Sequence, residues 1–328
     1  DKAVARSPKN LALRTRLAAV LLSGGDESQA GRALALLDTV RQESPGDAHV
    51  LYLIAEAQRI VGRLDDSEAT ARALMTVAPG SLTGPYALAL VLAQKQQHRA
   101  IVEALEPVVD GVPARGAVAG SEASMLHVRL GLAYAELGEF DRALAAFERA
   151  RAASAVSPAI DVYVIQTQLA ARRIPAAIEL ARKALAARPG DPHVVRLLAG
   201  ALRQAGQAEE GARLLSDALA SNPGDVSAHL ALAEFHARSQ QYAAAIRVLQ
   251  EAAAKFPSEL DVPFQMGSVL ERQKRYADAE RKFREVLSGD PLHAPALNYL
   301  GYMLAERGQR LDESIGYIKR AVKAERYN

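Results

Sequence analysis

The side chains that could do chemistry in this chain are histidines and carboxylates. Seven His are spread over 328 residues, and the closest pair, His229 and His236, sits seven apart with Glu234 between them. A zinc site needs three or four converging ligands and groups behind them that orient the rings. Two His and one Glu on one stretch are an incomplete set, and bulky packing side chains explain them better. Paired carboxylates such as Asp65-Asp66, Glu209-Glu210 and Asp312-Glu313 would need burial in unlike environments to work as acid and base. Their places at the starts of helical stretches suit the positive end of the helix dipole instead. No Cys is present, which removes disulfides, thiolate ligands and thiol nucleophiles. No His-Glu-x-x-His, Gly-x-Ser-x-Gly or Gly-x4-Gly-Lys-Ser/Thr signature occurs. The sequence nominates no catalytic residue, no metal ligand and no cofactor.

Composition narrows the classes further. Forty Lys and Arg against 38 Asp and Glu leave a net charge of +2, too balanced to track a phosphate backbone. Nucleic acid is excluded as the main partner. The basic text Arg272, Lys274, Arg275, Arg281, Lys282 and Arg284 is interleaved with Glu271, Asp278, Glu280 and Glu285, as on a solvated face. No apolar run reaches the roughly 18 to 20 residues of a membrane span.

The elements that position these residues are marked by proline. Pro45, Pro79 and Pro113 are 34 residues apart, and so are Pro189, Pro223, Pro257 and Pro291. Pro45, Pro189 and Pro223 are each followed by Gly-Asp, a helix stop and then a helix N-cap. Between these marks lie two amphipathic helices. In the run from Gly131 to Ala150, the first helix ends at Gly138, which permits a tight turn, and Ala143, Phe147 and Ala150 share one face of the second.

This pattern resembles the tetratricopeptide repeat, a 34-residue helix-turn-helix with small residues at its eighth, twentieth and twenty-seventh positions and Pro at the thirty-second. The eighth positions read Ala18, Ala55, Ala89, Gly131, Ala199, Ala233, Gly267 and Gly301, with Ile165 as the departure in the fifth repeat. His229 and His236 fall at the fourth and eleventh positions, where the family packs bulky groups. The resemblance implies an all-α, right-handed superhelical solenoid. Residues 1–10 read as the end of a preceding repeat's second helix, 11–113 as repeats one to three, 114–123 as a flexible loop insertion, and 124–328 as repeats four to nine. The array is expected to extend past one or both ends. Pro8 to Pro45 is three residues too long, and the extra length is expected in the first repeat's inter-helix turn. An extra residue is also expected in the last repeat near Arg310.

In the family, first helices line a concave groove, and their second, fifth, ninth, twelfth and thirteenth positions grip partner peptides or helices. The resemblance therefore implies a non-catalytic interaction scaffold or adaptor. Its groove would carry an apolar strip of Tyr86, Leu90, Met125, Val128, Leu132, Val162 and Leu169, then a charged stretch of Arg196, Arg203, Glu234, Arg238 and Arg272. Acidic-hydrophobic segments would suit such a surface. Two readings compete with a groove: a register shifted by one, which would put these side chains in the core, or the loop after Pro113 folding over them. The Lys, Asn and Arg clamp for chaperone tails is not reproduced, since Asn298 stands alone at a fifth position. Two further roles stay open: a permanent structural subunit, or the repeat arm of an enzyme such as a glycosyltransferase with its catalytic domain elsewhere. The last repeat, Leu297-Asn298-Tyr299-Leu300-Gly301-Tyr302, resembles a unit near the end of large bacterial tetratricopeptide proteins, some of them envelope lipoproteins. That likeness implies a bacterial source and favours the cell envelope over the cytoplasm.

Overall fold

Aspartate after Pro-Gly does what its chemistry allows at a helix start. Asp47 accepts from the backbone N–H groups of His49 and Val50 at 2.9 and 3.1 Å, Asp191 from His193 and Val194 at 3.0 and 3.3 Å, and Asp225 from Ser227 at 2.8 Å. Each satisfies donors that a helix leaves orphaned in its first turn. The structure is a computed structural model that describes residue 7 and residues 10–110, 117–153, 158–308 and 310–325. Every regular element among the described residues is an α-helix.

The chain divides into two compact units, Asp1–Arg173 and Ile174–Asn328. The first holds α1 (Leu11–Leu22), α2 (Glu27–Glu43), α3 (Ala48–Ile60), α4 (Leu64–Val77), α5 (Thr83–Gln94), α6 (His98–Asp110), α7 (Ala117–Glu136), α8 (Phe140–Ala153) and α9 (Pro158–Ala170). The second holds α10 (Ile174–Ala187), α11 (Pro192–Gln204), α12 (Ala208–Ser221), α13 (Val226–Arg238), α14 (Tyr242–Lys255), α15 (Asp261–Arg272), α16 (Tyr276–Gly289), α17 (Ala294–Glu306) and α18 (Leu311–Glu325). Within each unit the two helices of a repeat pair in an antiparallel hairpin, and each second helix packs on the first helix of the following repeat. Within each unit successive first helices also touch, as α3 touches α5 and α11 touches α13, while no comparable packing joins successive second helices among the described residues. First helices thus line the inner side of each unit.

The small eighth position is where the two helices of a hairpin come closest. A Cβ built on Gly131 would lie 2.6 Å from the Phe147 ring, and one on Gly267 would lie 2.7 Å from Phe283. Where the eighth residue is Ala, the partner on the second helix is shorter: Ala199 clusters with Leu215, and Ala233 with Leu249. Volume is conserved across the hairpin, as close packing demands. Two repeats add a hydrogen bond at this point. Ser67 donates to the carbonyl of Ala55 at 2.7 Å and Ser314 to that of Gly301 at 2.6 Å, both serines being buried.

Every turn within a repeat places a residue in the left-handed region: Gly25, Gly62, Gly138, Gly206 and Gly308, but also Gln96, Arg172, Gln240 and Lys274, with φ of 57 to 60°, and the last turn adds Arg310 at 47°. These turns then reach back to the preceding repeat's second helix. Lys95 binds Asp65 and Glu68 at 2.8 and 2.7 Å, Glu139 binds Arg99 at 2.8 Å, Arg173 binds Asp141 at 2.6 Å, and Arg310 binds Glu280 at 2.5 Å. The acidic first turns of second helices are therefore partners in ion pairs, and Glu210 and Glu313 act likewise with Arg182 and Arg284. The basic text around Arg275 is mostly neutralised, by Asp278, Glu280 and Glu285.

Three sequence expectations are corrected or fall outside the description. The first repeat's extra length lies in α2, which runs 17 residues where α4 runs 14, and not in the turn. Gly25 keeps the turn in register, with φ of +67° as at the later turns, so the surplus is taken up as added helix. The loop expected over 114–123 is helical from Ala117: Ala at 117, 119 and 123 has the best helix propensity, and the single Gly120 costs only roughly 1 kcal/mol. Residues 114–116 lie outside the described residues, as do residues 1–6, 8 and 9 of the expected preceding helix.

A side chain in the left-handed region costs about 1 to 2 kcal/mol. Gln240→Gly and Lys274→Gly should each stabilise the protein by about 0.5 to 1 kcal/mol after the unfolded chain's added freedom is counted, read by urea unfolding. The Arg310 guanidinium holds the Glu280 carboxyl below the usual carboxylate range, against the opposing effect of its partial burial, and Lys95 does the same to Glu68. A depressed folded pKa adds stability that is present above the unfolded value, about 4.3, and lost as pH falls through the folded one. The melting temperature should therefore drop below about pH 4. Glu280→Gln should melt lower at pH 7 and fall less steeply in acid.

Candidate inner-face site

In the first unit the predicted strip occupies the inner faces of α5, α7 and α9. Tyr86, Leu90, Val128, Leu132, Val162 and Leu169 are half-buried and Met125 is 41% exposed, whereas the neighbouring Leu126, Leu130 and Ala133 are buried at 3% exposure or less. The strip residues are thus more accessible than their neighbours on the same helices.

The strip is not purely apolar. Arg129 donates to the Tyr86 hydroxyl at 3.3 Å, and its guanidinium lies 5.5 Å from the ring centroid. On the neighbouring α3, Arg59 makes a two-pronged pair with Glu56 at 2.9 and 2.5 Å and reaches Gln94 of α5 at 3.2 Å. Burial, and then the Glu56 charge, push the Tyr52 phenol above its ordinary pKa. Tyr52, Glu56 and Arg59 hold the fifth, ninth and twelfth positions of the second repeat, so the positional rule that found Tyr86 also reaches them. Arg129 sits at a sixth position and no sequence signal marks it.

In the second unit, α11 and α13 bring four predicted residues together. Arg196, Arg203, Glu234 and Arg238 rim a cleft of about 190 Å³ floored by Leu215 and Ala231. A second hollow of about 190 Å³ shares Arg196, Leu215 and Ala231 and extends the trough toward Asn222 and Ser227. Arg238 pairs with Glu234 at 2.6 Å, Arg196 meets the His193 Nδ1 at 3.0 Å, and neither Arg196 nor Arg203 has a carboxylate partner among the described residues. Arg272, exposed on α15, does not line the cleft.

His229 and His236 prove to be packing groups. His229 is 1% exposed, with Nδ1 at 3.0 Å from the Asp225 carbonyl and its ring edge-on to Phe256 at 5.5 Å, while His236 bonds Gln241 at 2.6 Å. No group of three or more His, Cys, Asp or Glu converges among the described residues, and no described helix is long and apolar enough to cross a membrane.

Models of the tetratricopeptide repeat match residues 128–192, 202–262 and 264–328, together more than half of the chain. The chain belongs to the tetratricopeptide-repeat family. The human IFIT1 dimer with m7Gppp-AAAA is 16% identical with a TM-score of 0.50, over 96% of this chain and 72% of that one, a likeness of fold alone. A thermophilic tetratricopeptide protein of Thermus thermophilus is 25% identical over 59% of this chain and 99% of its own, with a TM-score of 0.44. YrrB, described as a tetratricopeptide protein with an unusual peptide-binding site, is 17% identical with a TM-score of 0.35, over 57% and 98%. No curated protein matches the chain. Tetratricopeptide repeats bind other proteins or peptides, and this chain is a protein-interaction repeat scaffold.

Proposed function

We propose that this protein is a non-catalytic adaptor that holds extended or helical segments of partner proteins against the inner faces of its first helices. The observation that carries this reading is the row of apolar side chains on α5, α7 and α9 that stay partly accessible, Met125 being 41% exposed and Tyr86 and Leu132 half-buried, beside buried neighbours such as Leu126 and Leu130. Apolar groups lined up in this way favour a surface that is covered in use. Binding energy then concentrates in a few anchors, and the charges at Arg196, Arg203 and Arg238 set orientation and association rate. Apolar partner residues suit the strip of the first unit, and acidic ones suit the arginines of the second.

A second reading, a permanent subunit of a larger assembly, is favoured by one different observation. Leu311, Ile315, Ile318 and Val322 on α18 are 38% to 55% exposed. A subunit built to be covered there should self-associate when isolated, with light scattering giving a mass above that of the monomer. An adaptor should remain monomeric.

Leu132→Asp separates binding from folding. A carboxylate at this half-buried inner position should weaken partner binding by about 2 to 5 kcal/mol where the partner dehydrates it and leave the melting temperature nearly unchanged. Ala143→Asp should do the reverse, because Ala143 is 0% exposed and a charge there has no partner. Thermal melting and pull-down on both variants read the outcome. Unfolding of Leu132→Asp, or an unchanged set of captured partners, defeats the inner-face assignment.

A further inference from the structure

Glycine inside a helix weakens it relative to alanine, so each such glycine calls for a reason. At Gly131, Gly211 and Gly267 the reason is packing, since a Cβ would press on the ring of Phe147, Phe235 or Phe283 at 2.6 to 2.7 Å. Gly200, in the middle of α11, has no such neighbour: its Cβ would meet nothing within 4 Å. Gly31 and Gly316 are equally uncontacted, but they lie exposed on second helices. Gly200 instead lines the inner cleft of the second unit.

Its flanks define the chemistry. Arg196 and Arg203 stand four residues before and three after Gly200, on the same stripe of α11. Between them the helix presents bare backbone, and across the cleft α13 contributes Ala231, whose side chain is a single methyl. Three arginines and one glutamate leave the rim net positive, and the one glutamate is already engaged by Arg238. The trough continues over Leu215 and Ala231 toward Asn222. Each hollow, of about 190 Å³, has room for one or two side chains.

We infer that Gly200 is a notch that seats an acidic side chain of an extended peptide, with Arg196 and Arg203 as its two cationic jaws and Leu215 and Ala231 as the floor for an adjoining apolar residue. This rests on the inner-face reading and deepens it by naming the partner's chemistry. Two guanidiniums without carboxylate partners accept a carboxylate by charge-assisted hydrogen bonds. An aspartate or glutamate supplies one on a stem short enough to enter.

The test is a phage-displayed random 12-mer peptide library panned on the protein, followed by fluorescence titration of the leading synthetic peptides. Enriched sequences should carry Asp or Glu next to an apolar residue. Their binding should fall about tenfold or more, as for loss of one charge-assisted contact, in Gly200→Leu and in the Arg196→Glu, Arg203→Glu double variant. Replacing the peptide's acid by its amide should cost wild type as much and cost Gly200→Leu little. Gly200→Ala and Gly200→Leu should melt no lower than wild type; a markedly lower melt of Gly200→Leu would show that the fold uses this space and overturn the notch. Peptides without acidic bias, or peptides that bind all variants alike, overturn the notch as well. If the notch fails on any of these counts while Leu132→Asp still loses the partners captured by pull-down, the inner-face reading survives; if nothing enriches over a blank surface, both fall.

Discussion

The structure depends on how closely two helices can approach at the eighth position of each repeat. Side chains of ordinary length would hold the axes apart, and the face that the second helix offers to the next repeat would be lost. Gly131 under Phe147 and Gly267 under Phe283 show the limit, with a missing Cβ on one helix and an aromatic ring in its place from the other. Ala199 with Leu215 divides the volume differently between the two helices. Once that distance is set, stacking follows, because the apolar residues left over on the second helix can be buried only by the following repeat.

Two surfaces escape this constraint, and they have different duties. The turn side carries ion pairs from one repeat to the one before, such as Lys95 to Glu68 and Arg310 to Glu280, half-shielded and so worth more than pairs in open water. The inner side carries residues that neither the hairpin nor the stack needs. Tyr86, Leu132 and Arg203 can therefore be chosen for a partner, and a glycine can stand at position 200 without a structural motive.

The fold was legible because its strongest determinants are local and periodic. Proline, Gly-Asp and small residues recur at fixed offsets, and each has one physical use there. What escaped was set by balance or by distant pairing. Helix over Ala117–Ala123 is a contest between alanine's propensity and a glycine's cost, which spacing does not decide. The surplus residues of the first repeat could enter the turn or α2 with no difference in pattern. The inner face was half legible. Positions 5, 9 and 12 pointed to Tyr86, Leu132 and the arginines of α11. Arg129 lay outside the rule, and its hold on Tyr86 spans 43 residues of sequence. The left-handed glutamine, arginine and lysine turns were hidden for a related reason, since glycine announces such a backbone and Gln240 or Lys274 does not.

The pairing of a first-helix glycine with a second-helix phenylalanine also bears on how such an array can change over time. Repeats of equal length with matching backbones look interchangeable, and unequal recombination between them would give hybrids in perfect register. A hybrid joining the first helix of the Ala233 repeat to the second helix of the Phe283 repeat would force a methyl into an aromatic ring. The reciprocal hybrid, Gly267 over Leu249, would leave a void. Overpacking and cavities each cost about 1 to 3 kcal/mol or more. Genetic exchange inside this gene is thus filtered by a lock within these hairpins: half-repeats pass between repeats of the same pairing and are penalised between unlike ones, while whole repeats move as units.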